Sequence, residues 1–305
     1  MPACDPRSKL LRRMAWLTLV LLLAVTCLSA FLRHRGAGLG CAPWPACFGQ
    51  GERVAAGALV VSGQALTVAR AAHRVTATVA LLLVIAMVVV SLALRPRLQR
   101  EGALSLALLT LALMLALLGV FTPGSRLPAV AVGNLLGGFV MVAIAAQSVR
   151  PAAPRHPEIR TASIGVALLL VAQIVSGAYV SASQAGLACS SIRECVEASR
   201  AAGWDWLALT PWREAAFAVG TPNADGSLAQ LLHRLASLIV APSVAGLGVW
   251  ALRQGHRREG VALLLLLVFV VTLGLVSGST GLPLVPVLLH NLGTALLLAA
   301  VLRLA

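Results

Sequence analysis

Three of the chain's six histidines enter long apolar runs: His73 in 71–90, His233 in 231–249 and His290 in 287–300. Arginine follows two of them, as Arg74 and Arg234. An ionisable side chain inside an apolar span is costly, so by default it marks function. Imidazole suits iron, and two imidazoles on opposite sides complete a six-coordinate, low-spin porphyrin centre. Histidines on separate spans, with almost no carboxylates among them, therefore point to a flat, apolar, metal-containing ligand. Heme is the first candidate, with Arg234 placed beside it to pair a propionate at the water boundary. The plainer reading is that each histidine hydrogen-bonds a neighbouring helix. Three at repeated positions, two preceding arginine, favour the cofactor. His34, His156 and His256 lie beside arginines in loops and read as solvated. A zinc site would need three or four ligands at metal-binding spacing, and no such group stands out.

The elements that must position these residues are membrane spans. The chain is 59% hydrophobic and 11% charged, with a mean hydropathy of +0.92, more apolar surface than a soluble core could hide. Eight runs approach the roughly 20 residues a spanning helix needs: 14–32, 72–94, 103–121, 128–149, 161–181, 231–252, 261–277 and 283–302. The first is too long, and too closely followed by others, to be a cleaved signal peptide. An even number of spans puts both termini on one side. Dense basic loops, with Arg95, Arg97 and Arg100 and again Arg253, Arg257 and Arg258, predict that side to be cytoplasmic. The net charge of +14 is thus a topology signal, dispersed over short loops in a way that excludes nucleic acid as a partner and leaves membrane lipid. The tryptophans sit near the predicted boundaries, Trp16 and Trp250 inside and Trp44, Trp204, Trp206 and Trp212 outside, as interfacial tryptophan does.

A linker with three prolines and three arginines, 150–160, divides the chain almost in half, and the pattern then repeats. Gly186-Leu187-Ala188-Cys189 echoes Gly38-Leu39-Gly40-Cys41, and the histidine–arginine pair of the second run returns in the sixth. Each half's last span follows a Leu-Pro step, Leu127-Pro128 and Leu282-Pro283. The fold class expected is an all-α membrane protein of eight transmembrane helices in two pseudo-repeated four-helix bundles, over 1–150 and 151–305. Asn134 stands where the repeat would put a fourth histidine. Cys41 and Cys47 enclose five residues. Outside the membrane, with no histidine nearby, such a pair favours a disulfide over a metal clip. Cys189 and Cys195 are spaced alike. The stretch 203–220 reads as a short helix lying on the membrane surface, and Cys27 as helix packing.

In order and spacing these features resemble the heme A synthase family over nearly the whole chain. The likeness rests on the GxGLxCxxWPxC-like wording at 36–47, the QIVxGxxV-like segment from Gln173, the two histidine–arginine pairs and His290. The resemblance implies heme b between His233 and His290 in the second half. It implies heme O received in the first half between His73 and the position of Asn134, with Arg74 alongside. The activity implied is oxidation of a ring methyl to formyl, making heme A for cytochrome c oxidase, with heme O synthase and oxidase assembly factors as partners in the bacterial inner membrane. It further implies a disulfide between Cys41 and Cys47. Two positions depart from the family pattern. Arg70 stands where a glutamate precedes the first-half histidine, and Asn134 replaces the second first-half ligand. Glu52, the only carboxylate between Cys41 and His73, is the candidate for the missing acid. Beside the synthase stand two alternatives: a heme b-binding homologue without the oxidation step, acting in heme handling or oxidase assembly, and a transporter working by alternating access. The transporter reading lacks a pair of broken helices carrying midplane charge.

Overall fold

A computed structural model describes residues 6–35, 63–122, 125, 127–149, 157–213 and 223–305. Among them are eight helices long and apolar enough to cross a membrane. These are α1 (Pro6–His34), α2 (Gly63–Val88, continued by a π-helical turn Val89–Ala93), α3 (Gln99–Phe121), α4 (Pro128–Val149), α5 (Pro157–Ala182), α7 (Ser227–Arg253), α8 (Arg257–Ser279) and α9 (Leu284–Leu302). A shorter helix, α6 (Ile192–Ala201), lies between α5 and α7. The protein is an integral membrane protein, and helices answer the demand that every backbone polar group in lipid find a partner within its own segment.

The helices pack in two rings of four. In the first, α1 touches α2, α2 touches α3, α3 touches α4 and α4 returns to α1; α5, α7, α8 and α9 close in the same order. The rings meet where α1 and α4 pack on α5 and α9. One continuous apolar core runs through both, from Leu19 and Phe139 to Leu247 and Leu298. The central helices are correspondingly more covered: 39% of α4's most apolar stretch is buried against 11% for α3. Small residues permit the close approaches. A Cβ on Gly260 would stand 2.7 Å from the Gly248 carbonyl oxygen, so α7 and α8 touch backbone to backbone there.

Polar contacts sort into two faces. On the face bearing both termini, Arg7 donates to the Pro96 carbonyl and Arg100 to the Gln147 carbonyl. On the opposite face the Ala129 amide donates to the Pro211 carbonyl, tying the start of α4 to the loop after α6.

Several sequence expectations change here. The histidine–arginine pairs do not open their helices. α2 begins at Gly63, so His73 lies ten residues, or about 15 Å, along it. His233 lies six residues, or about 9 Å, into α7. Apolar windows find the lipid-facing stretch, whereas the helix continues through polar helix formers beyond it. His34 is not a solvated loop residue. It ends α1 half-buried, donating Nε2–H to the Leu282 carbonyl at 2.8 Å, because α1 outruns its apolar stretch and docks on the α8–α9 turn. His256 is half-buried at the start of α8, and His156 falls outside the described residues.

Between α5 and α7 the described residues form α6 and 3-10 turns at Ala185–Leu187, Trp206–Leu209 and Ala224–Gly226; within the expected surface helix at 203–220 only the turn at Trp206–Leu209 is regular among the described residues, and residues 214–222 are not described. The overlooked signal was a capping box. Ser191 Oγ accepts from the Glu194 amide at 3.1 Å, and the Glu194 carboxylate turns back to the amide and hydroxyl of Ser190. Those hydrogen bonds, the hydroxyl's first, hold the Glu194 carboxyl below the usual carboxylate range. A lowered carboxyl stabilises the folded form above its ordinary pKa, and that help is lost as pH falls through the lowered one. Ser191→Ala should therefore speed amide hydrogen exchange at the start of α6 roughly fivefold at neutral pH, a cap being worth about 1 kcal/mol. Acidification should speed exchange at the start of α6 in variant and parent alike, as the Glu194 carboxyl takes up its proton. An unchanged exchange pattern would remove the cap.

Candidate functional site

The second ring brings two imidazoles into one space. His233 comes from α7 and His290 from α9, helices diagonal to one another across the ring. His233 packs against Gly177 of α5 and His290 against Gly274 of α8, so both imidazoles lie within this ring of helices. Each lies six residues past the first residue of its helix, so the two enter the bundle by the same count of residues.

Both rings are held by the same kind of device. His290 Nδ1 lies 3.0 Å from the Val270 carbonyl oxygen on α8. A carbonyl only accepts, so Nδ1 carries the hydrogen and Nε2 keeps its lone pair. One helical turn past Val270 stands Gly274, whose missing side chain leaves room for the imidazole: a Cβ there would be 3.1 Å from His290 Cε1. On the other side, Ser176 Oγ lies 2.9 Å from His233 Nδ1 and gives its own hydrogen to the Gln173 carbonyl at 2.8 Å. With that hydrogen given away, the hydroxyl accepts Nδ1–H when His233 carries its hydrogen there, the tautomer the Val270 carbonyl fixes at His290. The Gln173 amide nitrogen, 3.2 Å from the same Nδ1, donates to the His233 carbonyl at 3.0 Å. Four residues beyond Gln173 comes Gly177, where a Cβ would fall 2.7 Å from His233 Cε1. Neither Nε2 has a hydrogen-bond partner among the described residues.

That tautomer is the one a metal-binding imidazole adopts when its other nitrogen is fixed by a hydrogen bond. Among the described residues no group of three or more histidines, cysteines or acids gathers. A metal held by this pair must draw its remaining ligands from elsewhere, and an iron porphyrin supplies four in one plane. The donor set and the two glycine slots fit such a group.

Arg234 also makes contacts that the sequence did not announce. Its Nη2 donates to the Cys189 carbonyl at 3.1 Å, and Nη1 reaches Cys195 Sγ at 3.8 Å. Cys189 and Cys195 are joined in a disulfide, so Arg234 ties that loop to the helix carrying His233. Cys41, Cys47 and Glu52 fall outside the described residues, and Cys27 is a half-buried free thiol.

The first ring lacks the same bracing. His73 makes no hydrogen bond to any described residue. Ser29 stands as far before Cys41 as Gly177 before Cys189, and Ser29 Oγ is taken by Arg33 at 2.6 Å. By the same count Val25 and Leu28 replace Gln173 and Ser176, so nothing there orients Nδ1 in the same way. Asn134 is half-buried on α4. Gln173, Ser176, Val270 and Gly274 had no assigned role in the sequence, and Gly177 appeared only as motif wording. The readable signal was a glycine one turn from a residue facing each histidine.

Fold and site together define an all-helical membrane protein with a paired-imidazole centre inside one of two four-helix rings. The sequence profile of the COX15-CtaA family, cytochrome oxidase assembly proteins, matches residues 12–302, and the chain belongs to that family. It is 28% identical, over 320 aligned residues, to a heme A synthase of Shewanella oneidensis, with 94% of each chain covered.

Proposed function

We propose that the protein is a heme A synthase-like oxidoreductase, converting heme O to heme A by oxidising a ring methyl to formyl for cytochrome c oxidase biogenesis. Heme b is its resident cofactor, held between His233 and His290. The observation that carries this reading is the matched pair of imidazoles with Nδ1 tied and Nε2 left as the ligating atom. Family membership and the Shewanella relative's name support the substrate class. Bound there, heme b supplies one-electron redox chemistry. The chain's own residues fix its position. Val270 and Ser176 set the tautomers, Gly274 and Gly177 give the rings room, and the apolar walls of α5, α7, α8 and α9 exclude water.

The division of labour follows the rings. Residues 151–305 form the cofactor half, and 1–150 the substrate half, where heme O lies near His73, Arg74 and Asn134. Glu52 is proposed as the acid of that half, and Cys41 with Cys47 as its disulfide. The protein works in the bacterial inner membrane with both termini cytoplasmic. Heme O synthase and oxidase assembly factors are its partners.

A second reading is favoured by one observation, the absence around His73 of the bracing seen at His233. In it the protein binds heme b and serves heme handling or oxidase assembly without oxidising heme O. Co-expression with a heme O synthase, followed by chromatography of extracted hemes, separates the two. Heme A in the extract is the expected result. Heme b with unconverted heme O would instead establish the second reading.

A further inference from the structure

The second ring is closed along its sides and at one end, and a loop crosses the other. α5 packs on α7, α7 on α8, α8 on α9 and α9 on α5, with α4 lying over α5 and α9. Toward the termini the interior is solid. Leu247, Leu263, Leu298 and Val301 are buried there, and Ser163 Oγ donates to the Val301 carbonyl at 2.6 Å, joining α5 to α9. His233 and His290 lie near the opposite end, six residues or about 9 Å from the first residues of α7 and α9. At that end the chain leaves α5 and crosses the ring before α6 begins. A Cβ on Gly186 would stand 2.6 Å from Leu282 Cδ1, so the crossing touches the α8–α9 turn. Three residues on, Cys189 and the disulfide it forms with Cys195 are buried against Leu231 of α7. The segment 183–195 thus reaches from the start of one histidine-bearing helix to the start of the other.

Three side chains fasten it. Asn223 Nδ2 donates to the Ser183 carbonyl at 3.0 Å, Gln230 Nε2 to the Gly186 carbonyl at 3.1 Å and Arg234 Nη2 to the Cys189 carbonyl at 3.1 Å. Each donor lies on α7 or just before it, and each meets a backbone carbonyl of the crossing, so these bonds can break while every helix stays intact. The turn opposite is held independently: the Leu282 amide donates to the Ser277 carbonyl at 2.9 Å, and the Leu282 carbonyl accepts from His34 at 2.8 Å. The crossing is therefore the part of the mouth free to lift.

We propose that residues 183–195 are a lid over the heme b pocket, and that heme b enters and leaves through the mouth they cover once the three bonds break. The proposal rests on His233 and His290 as the heme b ligands and adds the route to them. Asn223 and Gln230 are positioning residues, acting on the cofactor only through the lid. The disulfide closes 189–195 into a small loop, so that part of the lid moves as one piece. Retention of heme b is then set by the lid, and its spectrum by the imidazoles.

The test follows ferric heme b leaving the purified holoprotein in detergent for an excess of apomyoglobin, beside amide hydrogen exchange at residues 185–189. Gln230→Leu should speed both roughly fivefold, the scale of one lost hydrogen bond. The two factors should agree, because one opening governs both. Asn223→Ala should act alike, and the double variant should exceed either. The Soret band should stay as in the parent, since neither side chain meets an imidazole. Ser163→Ala, which removes a bond at the closed end of the same ring, should leave heme loss unchanged. Unaltered heme loss in both lid variants would overturn the lid. Equal acceleration in Ser163→Ala would also overturn it, by showing that any loosening of the ring releases heme. A parent protein without heme b would instead remove the cofactor reading itself, and the lid with it.

Discussion

His290→Ala abolishes the low-spin heme b spectrum, whereas Asn134→Ala leaves it: this is the expected result on purified protein, read by absorption and by heme content per chain. Its physical basis is local. Val270, one turn before Gly274 on α8, offers its carbonyl where no side chain covers it, and that carbonyl fixes the hydrogen on His290 Nδ1. The alanine variant loses the ligating nitrogen and leaves a carbonyl and an empty slot behind. Among the described residues no other histidine is placed to replace it, because His73 lies in the other ring and His34 is bonded to Leu282. Heme content should drop more than tenfold, since one axial bond and the closing wall are lost together. Asn134 belongs to α4, whose packing partners are α1, α3, α5 and α9, so changing it should not disturb the α7–α9 pair. An unaltered spectrum in His290→Ala would remove that residue from the iron.

Much of the frame was legible because bilayer thickness constrains sequence so tightly. The fourth run, 128–149, coincides with α4, bounded by Pro128 before it and a proline-rich linker after. Ends were illegible wherever a helix continued past its apolar stretch. Gly63 to Arg70 is polar enough to read as loop, yet it folds as the first two turns of α2, and Thr67 donates to the Gly63 carbonyl within it. That extension moves His73 three turns inside its helix. The histidines themselves stood out as costly residues in apolar runs. Their orienting partners did not, because Ser176 and Val270 act through a hydroxyl and a backbone carbonyl on neighbouring helices. A pattern along one helix carries no record of which carbonyl another helix will present. Arg234 shows what packing adds. Its position beside His233 suggested a propionate contact, and packing also brings the Cys189 carbonyl and the disulfide within its reach.

The two rings share their order of packing and differ in what surrounds the histidine. Gly177 opens a slot that Gln173 and Ser176 turn into an oriented ligand. At the matching positions of α1, Ser29 Oγ accepts from Arg33 instead, and Val25 and Leu28 have no side-chain hydrogen-bonding group. One ring thus ties its imidazoles through Nδ1, and in the other no described residue hydrogen-bonds His73. The first arrangement suits a permanent iron ligand.

Gly177→Ala provides the sharpest check on that contrast. A Cβ there would stand 2.7 Å from His233 Cε1, 3.2 Å from Nδ1 and 3.4 Å from Nε2, along one whole edge of the ring. Real Cβ atoms do not approach so closely, so the imidazole must move, and it is pinned through Nδ1 to Ser176. Movement breaks that bond and turns Nε2 off its line. Overpacking of this kind costs about 1–3 kcal/mol, roughly five- to 150-fold in heme affinity. The helix itself gains, because alanine is about 1 kcal/mol better than glycine in a helix interior. The variant should therefore fold and insert normally while purifying with little heme b. Gly274→Ala, whose Cβ would meet His290 Cε1 at 3.1 Å, should lose less, since a few tenths of an ångström relieve the contact. The order of the two losses is the test, read as heme per chain and as the position of the Soret maximum. Equal retention in both variants would mean that these rings do not stand where a heme needs them.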